Sequence, residues 1–299
     1  MLDENIQHDT FDEYWKARDI SEHFHKIHCA VLLFPFFERY LKDAPAPDLP
    51  GALAFETGTN QWRRYEPWPP ASAQPTSLFL RANGKLAFDP PSEHEGAYDE
   101  YVSDPARPVP YVEHPSTGLS SEYMYGDQRF AAGRSDVLTY RTDPLDRDVT
   151  VAGPVTVRLE VSSSGTDSDF DVKLIDDYTG NDEYPAGAPS PGYQQLVRGE
   201  PMRARFRNSF SNPEALQPDQ VTPIHFSMPD MNHTFLRGHR IMVQVQSSWF
   251  PLTDLNPQIF VSISKAKPAD FVKATERVFH SPQAASALVL QVLQNPPRQ

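Results

Sequence analysis

The feature of this sequence that most constrains its fold is a strict alternation of apolar and polar side chains. Between positions 149 and 161 the odd positions, apart from Gly153, carry valine or leucine, and Thr156, Arg158 and Glu160 lie between them. A period of two places the apolar side chains on one face of a β-strand. We predict a half-buried strand, bent near Gly153–Pro154, whose inward residues are Val149, Val151, Val155, Val157, Leu159 and Val161.

The same alternation recurs elsewhere, so the chain is predicted to be mainly β. It is clearest at Phe170, Val172 and Leu174 and at Ile241, Val243 and Val245; further candidate strands are Ser77–Leu80 (before a turn at Asn83–Gly84), Met202–Arg207, Ile224–Ser227, Gln258–Ile263, Thr275–His280 and Ala287–Leu293. The 30 prolines interrupt helices and central strands. Many short strands with long, uneven connections favour two packed antiparallel sheets in a jelly-roll β-sandwich.

The first 135 residues carry weaker signals. Residues 1–45 have helical character around Asp12–Lys16, and Ile27–Phe37 is an apolar run suited to a buried strand or the start of a helix. Most of residues 46–135 is rich in proline and glycine, and we expect ordered loop held in place by aromatic side chains.

Composition excludes several classes of function. The formal charge is −13 and no cluster of Lys or Arg offers a basic face, so no nucleic-acid partner is expected. Cys29 is the only cysteine, which rules out an intramolecular disulfide and a multi-cysteine zinc site. The acidic start MLDENIQHDTFDEYW is not a signal peptide, and no apolar run is long enough to span a bilayer. No cofactor is predicted, and the compartment stays open.

No catalytic serine can be placed from the sequence. An α/β-hydrolase presents its serine in a G-x-S-x-G turn, and that pentapeptide does not occur in this chain. The serines beside glycines are instead typical of turns: Ser120, Ser121, Ser135 and Ser164. The segment EHFHKIHC contains His23, His25 and His28. Only His25 and His28 have the spacing of ligands on one helix face, and no acidic residue lies at a matching position. A metal site in this segment is therefore disfavoured.

Three other polar or aromatic groups have both a functional and a structural interpretation. HFSMPDMNH contains the residue types of a catalytic triad, but triad members normally come from separate elements, so we favour structural roles and a cross-sheet hydrogen bond for His233. An acidic loop could bind calcium, although a solvated loop is favoured. Trp249–Phe250 could stack on a sugar, although a core position is favoured. The residues concerned are His225, Ser227, Asp230 and His233 in the first group and Asp176, Asp177, Asp182 and Glu183 in the second.

Several longer motifs resemble the C-terminal domain of X-Pro dipeptidyl-peptidases, a domain shared with cocaine esterase and the α-amino-acid ester hydrolases. The resemblance begins with TDSDFDVKLIDDY (166–178) and is strongest in MPDMNHTFLRGHRIMVQVQSSWFPLTDLNPQ (228–258). It continues through GTNQWRRYEPWPP, YVSDPARPVPY, DQRFAAGRSDVLTYRTDPL and AKPADFVKATERVFHSP, so that it covers about residues 46–295. The details are most similar to the α-amino-acid ester hydrolases.

The resemblance implies a jelly-roll domain at 46–299 that packs beside an α/β-hydrolase domain and helps to shape its acyl pocket. It implies serine-acyl chemistry on esters or amides in the complete enzyme. Residues 1–45 resemble a remnant of the hydrolase domain: FDEYWKARD and IHCAV resemble a late strand region, and LLFPFFERYLKDAP resembles the helix that follows the triad histidine. The segments that carry the family's Asp and His are missing between them, and the serine turn belongs upstream.

We therefore expect a structural or interaction domain of a serine hydrolase that is inactive alone, with no catalytic, cofactor-binding or metal-binding residue. The alternatives are a stand-alone ligand- or carbohydrate-binding jelly roll, suggested by Trp62, Trp68 and Trp249, and a subunit that completes a separate hydrolase chain. Self-association is also expected, through an apolar patch of the remnant at Val31, Leu32, Leu33, Phe34, Phe36 and Phe37.

Overall fold

The computed structural model describes residues 50–93, 96–114, 121–124, 126–179 and 192–294. Within them the strands are β1 (Ala52–Glu56), β2 (Gln61–Tyr65), β3 (Ala73–Arg81), β4 (Lys85–Ala87), β5 (Tyr98–Ser103), β6 (Leu138–Arg141), β7 (Val149–Ser163), β8 (Asp169–Asp177), β9 (Gln194–Arg203), β10 (Thr222–Phe235), β11 (Arg240–Gln246), β12 (Ala274–Ser281), β13 (Ala284–Ala285) and β14 (Ala287–Leu293). One short α-helix, α1, spans Arg129–Ala132.

Two antiparallel sheets form a jelly-roll β-sandwich, as the alternation predicted. In the first sheet β7 pairs with β10 on one edge and with β14 and β12 on the other, and β3, β4 and β5 extend it. The second sheet has the order β6-β11-β8-β9. A single parallel pair, Lys85 with Arg141, joins the two sheets along one side. On the other side β9 lies next to β10, and the two strands are not paired in the described residues, so the edge between the sheets is open.

The core lies between the inward faces of these sheets, and β7 supplies its centre. The six predicted inward residues of β7 are all buried, and the outward Arg158 between them is exposed. Phe170, Val172 and Leu174 of β8 are fully buried opposite them, as predicted. At Gly153 the backbone has φ +131°, and the register between β7 and β10 shifts beside it, which accounts for the predicted bend.

The hairpin β3–β4 also follows the prediction. Its three-residue connection, Ala82–Gly84, contains two residues in the left-handed region, Asn83 at φ 62° and Gly84 at φ 68°. Asn and Gly tolerate this backbone conformation best, so the sequence specifies the turn locally.

Two predicted strands are wrong. At Met202–Arg207 the chain leaves β9 after Arg203 and forms a 3₁₀ turn, Ala204–Phe206. At Gln258–Ile263 there is no strand, because Gln258 has φ 67° and its backbone N–H donates to Asn256 Oδ1. The apolar spacing of this stretch therefore reflects an irregular segment held by buried polar groups.

The expectation of mostly loop between 46 and 135 is corrected as well. The hairpin β1–β2 forms a separate two-stranded sheet, and β5 pairs with β12. The hairpin escaped prediction because its outward face carries Phe55 and Trp62, both exposed, so that the two faces do not differ in polarity. The predictions for Asp12–Lys16, Ile27–Phe37 and the apolar patch at 31–37 lie outside the described residues.

A close contact in the second sheet yields a stability prediction. A Cβ added at Gly199 of β9 would lie 2.5 Å from Trp249 Cη2, whereas a Cβ at Gly133 would meet nothing within 4 Å. We expect Gly199→Ala to lower the free energy of unfolding by about 1–3 kcal/mol, because the buried indole has to move. Gly133→Ala is the matched control and should leave stability unchanged or slightly raised. Equal urea midpoints for both variants would contradict this packing.

Candidate functional site

The arrangement most similar to a catalytic site is a line of Thr57, which is half-buried, with His233 and Asp176, which are buried. The Thr57 hydroxyl lies 2.7 Å from His233 Nδ1, and His233 Nε2 lies 3.2 Å from Asp176 Oδ2. A second histidine, His239, places its Nδ1 2.9 Å from the other carboxylate oxygen of Asp176. These side chains come from the turn after β1, from β10, from β8 and from the turn before β11. They are a hydroxyl, an imidazole and a carboxylate, the three components of a hydrolase triad.

The orientation of His233 is the reverse of the catalytic one. In a triad Nε2 faces the nucleophile and Nδ1 donates to the aspartate, whereas here Nδ1 faces the hydroxyl and Nε2 faces Asp176. His233 is 1% exposed and Asp176 is fully buried. The backbone of Thr57 is also tied to β10, since its N–H donates to Asn232 O and its carbonyl accepts from Thr234 N. The Thr57 hydroxyl therefore contacts the ring nitrogen that faces the aspartate in a catalytic triad.

These contacts instead fasten the hairpin β1–β2 to the sandwich. Thr57 forms a parallel bridge with His233, and the Tyr65 hydroxyl of β2 donates to Asn232 Oδ1 at 3.1 Å. Hydrogen bonds from the two histidines outweigh burial and hold the pKa of Asp176 below its ordinary value. A two-stranded hairpin is marginal alone, so its stability depends on such attachments.

Every hydrogen-bond donor and acceptor on the line from Thr57 to Asp176 has a partner whether His233 is neutral or charged. In the neutral form Nε2–H donates to Asp176 and the Thr57 hydroxyl donates to Nδ1. In the charged form Nδ1–H donates to Thr57, whose hydroxyl then donates to Asn232 O at 3.2 Å. The structural role expected for His233 is therefore supported by its contacts, with Thr57, Asp176 and His239 as partners that sequence reasoning did not assign.

The remaining residues of the HFSMPDMNH motif are separated from this line. His225 and Ser227 point outward from β10 and line an open cleft, and Asp230 accepts a hydrogen bond from Trp68 Nε1 at 2.5 Å. The acidic-loop interpretation of Asp176 and Asp177 is wrong, because both are buried in β8. Asp182 and Glu183 lie outside the described residues, as do His23, His25, His28 and Ser120.

The other serines and tryptophans occupy structural positions. Ser164 Oγ accepts from Thr275 N at 2.8 Å, and Ser135 lies on the surface between Arg134 and Asp136. Trp249 is 2% exposed, as the core interpretation predicted, and Phe250 beside it is partly exposed. Trp68 is half-buried, so Trp62, which is 64% exposed, is the indole of the three candidates with a free face.

A second buried polar cluster surrounds the start of β8. Arg205 Nε donates to Asp167 Oδ2 at 2.7 Å, and Arg203 forms a two-pronged contact with Asp169 at 2.8 and 2.9 Å. The Asn256 amide donates to both carboxylates. The polar residues of TDSDFDVK therefore anchor the segments 203–205 and 254–258 against the outer face of the second sheet.

Two buried groups in this region carry shifted pKa values. Burial raises the pKa of Glu276 to about 8, even though the Ser163 hydroxyl donates to its carboxylate at 2.9 Å. Burial lowers the pKa of Lys173 to about 7; its ammonium lies 5.0 Å from the Trp249 ring and 3.0 Å from Gln128 Oε1. Both side chains are fully buried, so their shifts reflect burial in the packed sheet. In the part of the chain that the structure describes, no three metal-ligating side chains are grouped to hold an ion.

Comparison with known proteins identifies the family. Residues 46–289 match the model of the X-Pro dipeptidyl-peptidase C-terminal non-catalytic domain. The chain belongs to this family. It is 31% identical over 268 residues to cocaine esterase from Rhodococcus sp. (strain MB1 Bresler), a match that covers 86% of this chain and 45% of the esterase.

Two solved structures are similar to most of this chain. An α-amino acid ester hydrolase superposes with a TM-score of 0.82 at 44% identity, covering 86% of this chain and 44% of the hydrolase. An aminopeptidase from a marine sediment archaeon, Thaumarchaeota archaeon, also superposes with a TM-score of 0.82 at 44% identity, covering 87% of this chain and 43% of the aminopeptidase. The chain thus spans less than half the length of these relatives. Across the described residues, none of the helices is both long and apolar enough to cross a membrane.

The buried carboxylate of this domain yields a first pH prediction. We expect Asp176→Asn to lower the free energy of unfolding by about 3 kcal/mol at pH 7, because both histidines lose their charged partner. The folded pKa of Asp176 is lowered, so this contribution is present above about pH 4 and is lost as the pH falls through the folded value. Urea unfolding between pH 3 and 7 measures it. Asp143→Asn, at an exposed ion pair, is the control and should change stability little; a loss no larger than the control's would contradict the fastening role.

Glu276 yields a pH prediction of the opposite sign. Its folded pKa is raised to about 8, so the domain keeps the proton that the unfolded chain releases, and stability falls as the pH rises from about 4.5 to about 8. We expect Glu276→Gln to remove this loss and to gain stability relative to the unchanged chain, on the order of 2 kcal/mol between pH 5 and pH 8. Glu160→Gln on the outward face of β7 is the control. Parallel stability profiles for all three proteins would show that Glu276 ionises normally.

Proposed function

We propose that this chain is the non-catalytic β-sandwich of a serine hydrolase that cleaves esters or amides. Its role is to pack against the α/β-hydrolase domain and complete the wall of the acyl pocket, while serine, histidine and aspartate come from elsewhere. The observation that carries the proposal is the family match over residues 46–289, on a domain described as non-catalytic. The Thr57–His233–Asp176 line supports it, because His233 is buried and presents the wrong ring nitrogen to the hydroxyl.

The proposal includes a division of the chain near residue 45. Residues 1–45 are a remnant of the hydrolase domain, and 46–299 are the sandwich. The partner is a hydrolase domain or a second copy of the chain rather than nucleic acid, since the formal charge is −13. Esters, β-lactam acyl groups and dipeptides all remain candidate substrates for the complete enzyme.

A domain exchange tests this role. Residues 46–299 would replace the corresponding region of the 44%-identical α-amino acid ester hydrolase, and hydrolysis of an α-amino acid ester would be measured. We expect the chimera to retain kcat/KM within about tenfold of the parent, a difference of ~1.4 kcal/mol, because a supporting domain changes the pocket without removing the reacting groups.

Two controls accompany the exchange. The parent hydrolase truncated before the sandwich should lose activity, and the isolated chain should hydrolyse the same ester no faster than buffer. A folded chimera with no more activity than the truncated parent would contradict the supporting role. Turnover by the isolated chain would contradict its non-catalytic character.

A further inference from the structure

An open cleft of about 720 Å³ lies where the sandwich is not closed, between β9 and β10. Among the described strands, β9 pairs only with β8 over residues 200–203 and β10 pairs only with β7 over residues 225–227, so their other edges face the cleft. Its volume is within the range of small-molecule sites in proteins, and the core residues Met202 and Phe226 line it.

Glu200 places a carboxylate on the inner side of this opening. In register, Glu200 pairs with Val172 and Met202 pairs with Phe170. Residues that face each other across antiparallel strands share a side of the sheet, so the Glu200 side chain lies on the same side as the core. Burial raises its pKa, and no hydrogen bond or ion pair offsets that effect among the described residues.

The two arginines of the cleft are already matched by other carboxylates. Arg203 lies between Asp169 and Asp254, at 2.8 and 2.9 Å. Arg207 contacts Glu214 and donates to backbone carbonyls. Glu200 is therefore a carboxylate without a counter-charge in the described structure, and the cleft complements one positive charge.

The remaining walls offer apolar and hydrogen-bonding contacts. Phe206 and Phe210 lie with ring centroids 5.9 Å apart, and Phe210 is 59% exposed. His225 and Ser227 of β10 supply the exposed polar side chains of the lining. An exposed ring beside a carboxylate suits a ligand with an aromatic or aliphatic body and a cationic end.

We propose that this cleft binds a small organic cation with an apolar body, such as an arylalkyl ammonium ion. The ammonium group pairs with Glu200, and the apolar body packs against Phe206 and Phe210. This binding function goes beyond support of a hydrolase domain and stands whether or not the chain supports one.

Binding of three related probes to the full chain tests the proposal. Phenethylammonium, 2-phenylethanol and 3-phenylpropionate share the apolar body and differ in charge, and their affinities would be measured by calorimetry and by ligand-detected NMR. We expect phenethylammonium to bind at least about tenfold more tightly than the alcohol, a ratio that corresponds to ~1.4 kcal/mol, and the carboxylate to bind most weakly. Because this comparison uses the unchanged chain, it does not depend on any variant folding.

Variants assign the preference to Glu200. Glu200→Gln should make the ammonium and the alcohol bind equally, Phe210→Ala should weaken both, and Glu66→Gln, at an exposed carboxylate on the chain after β2, should change neither. Thermal melting confirms that each variant is folded. Three results would overturn the proposal: equal affinity of the amine and the alcohol for the unchanged chain, a preference for the amine that persists in Glu200→Gln, or no binding of the amine at millimolar concentration. Glu200 would then be a charge that disfavours pairing of another strand at an open sheet edge.

Discussion

Burial of the inward side chains of β7 is the constraint on which the rest of the structure depends. This strand has partners along both edges, with β10 on one side and β14 and β12 on the other, so its register fixes the register of the first sheet. A slip by one residue would expose every buried valine and leucine, at about 25 cal/mol for each Å² of apolar surface. The second sheet has to cover this face, and the position it adopts leaves the edge between β9 and β10 open.

The second sheet is buried on both sides, which accounts for its unusual chemistry. Its inner face packs on the core, and its outer face carries Asp169, Asp171, Lys173, Gln244 and Gln246, all buried beneath the segments around residues 128 and 249–258. Buried ion pairs of this kind add little net stability, but loss of one partner is costly, so they specify one arrangement of the covering segments. A rigid, precisely covered sandwich is suited to shaping a neighbouring pocket.

Sequence reasoning succeeded where polarity differs between two faces of a strand. The alternation in β7, the apolar residues of β11 and the segments Thr275–His280 and Ala287–Leu293 all mark strands that the structure contains. It failed where both faces share a character: β1–β2 presents aromatic residues outward, and Asp176 and Asp177 lie within a strand although they looked like a solvated loop. The line from Thr57 to His233 spans 176 positions, and the sequence holds no local signal of such contacts. The cleft at Glu200 could not be predicted either, because it depends on which strand edges stay unpaired, and that is set by the topology of the sheets.

The proposed function requires that this domain supports serine-hydrolase chemistry without carrying a nucleophile that can react. Treatment of the purified chain with a fluorophosphonate, followed by intact-mass and peptide mass spectrometry, tests it directly, since the reagent labels only an activated hydroxyl. We expect no adduct on any serine and none on Thr57, because the His233 ring that contacts Thr57 is reversed and buried. A stoichiometric adduct on one hydroxyl, abolished by His233→Ala, would contradict it.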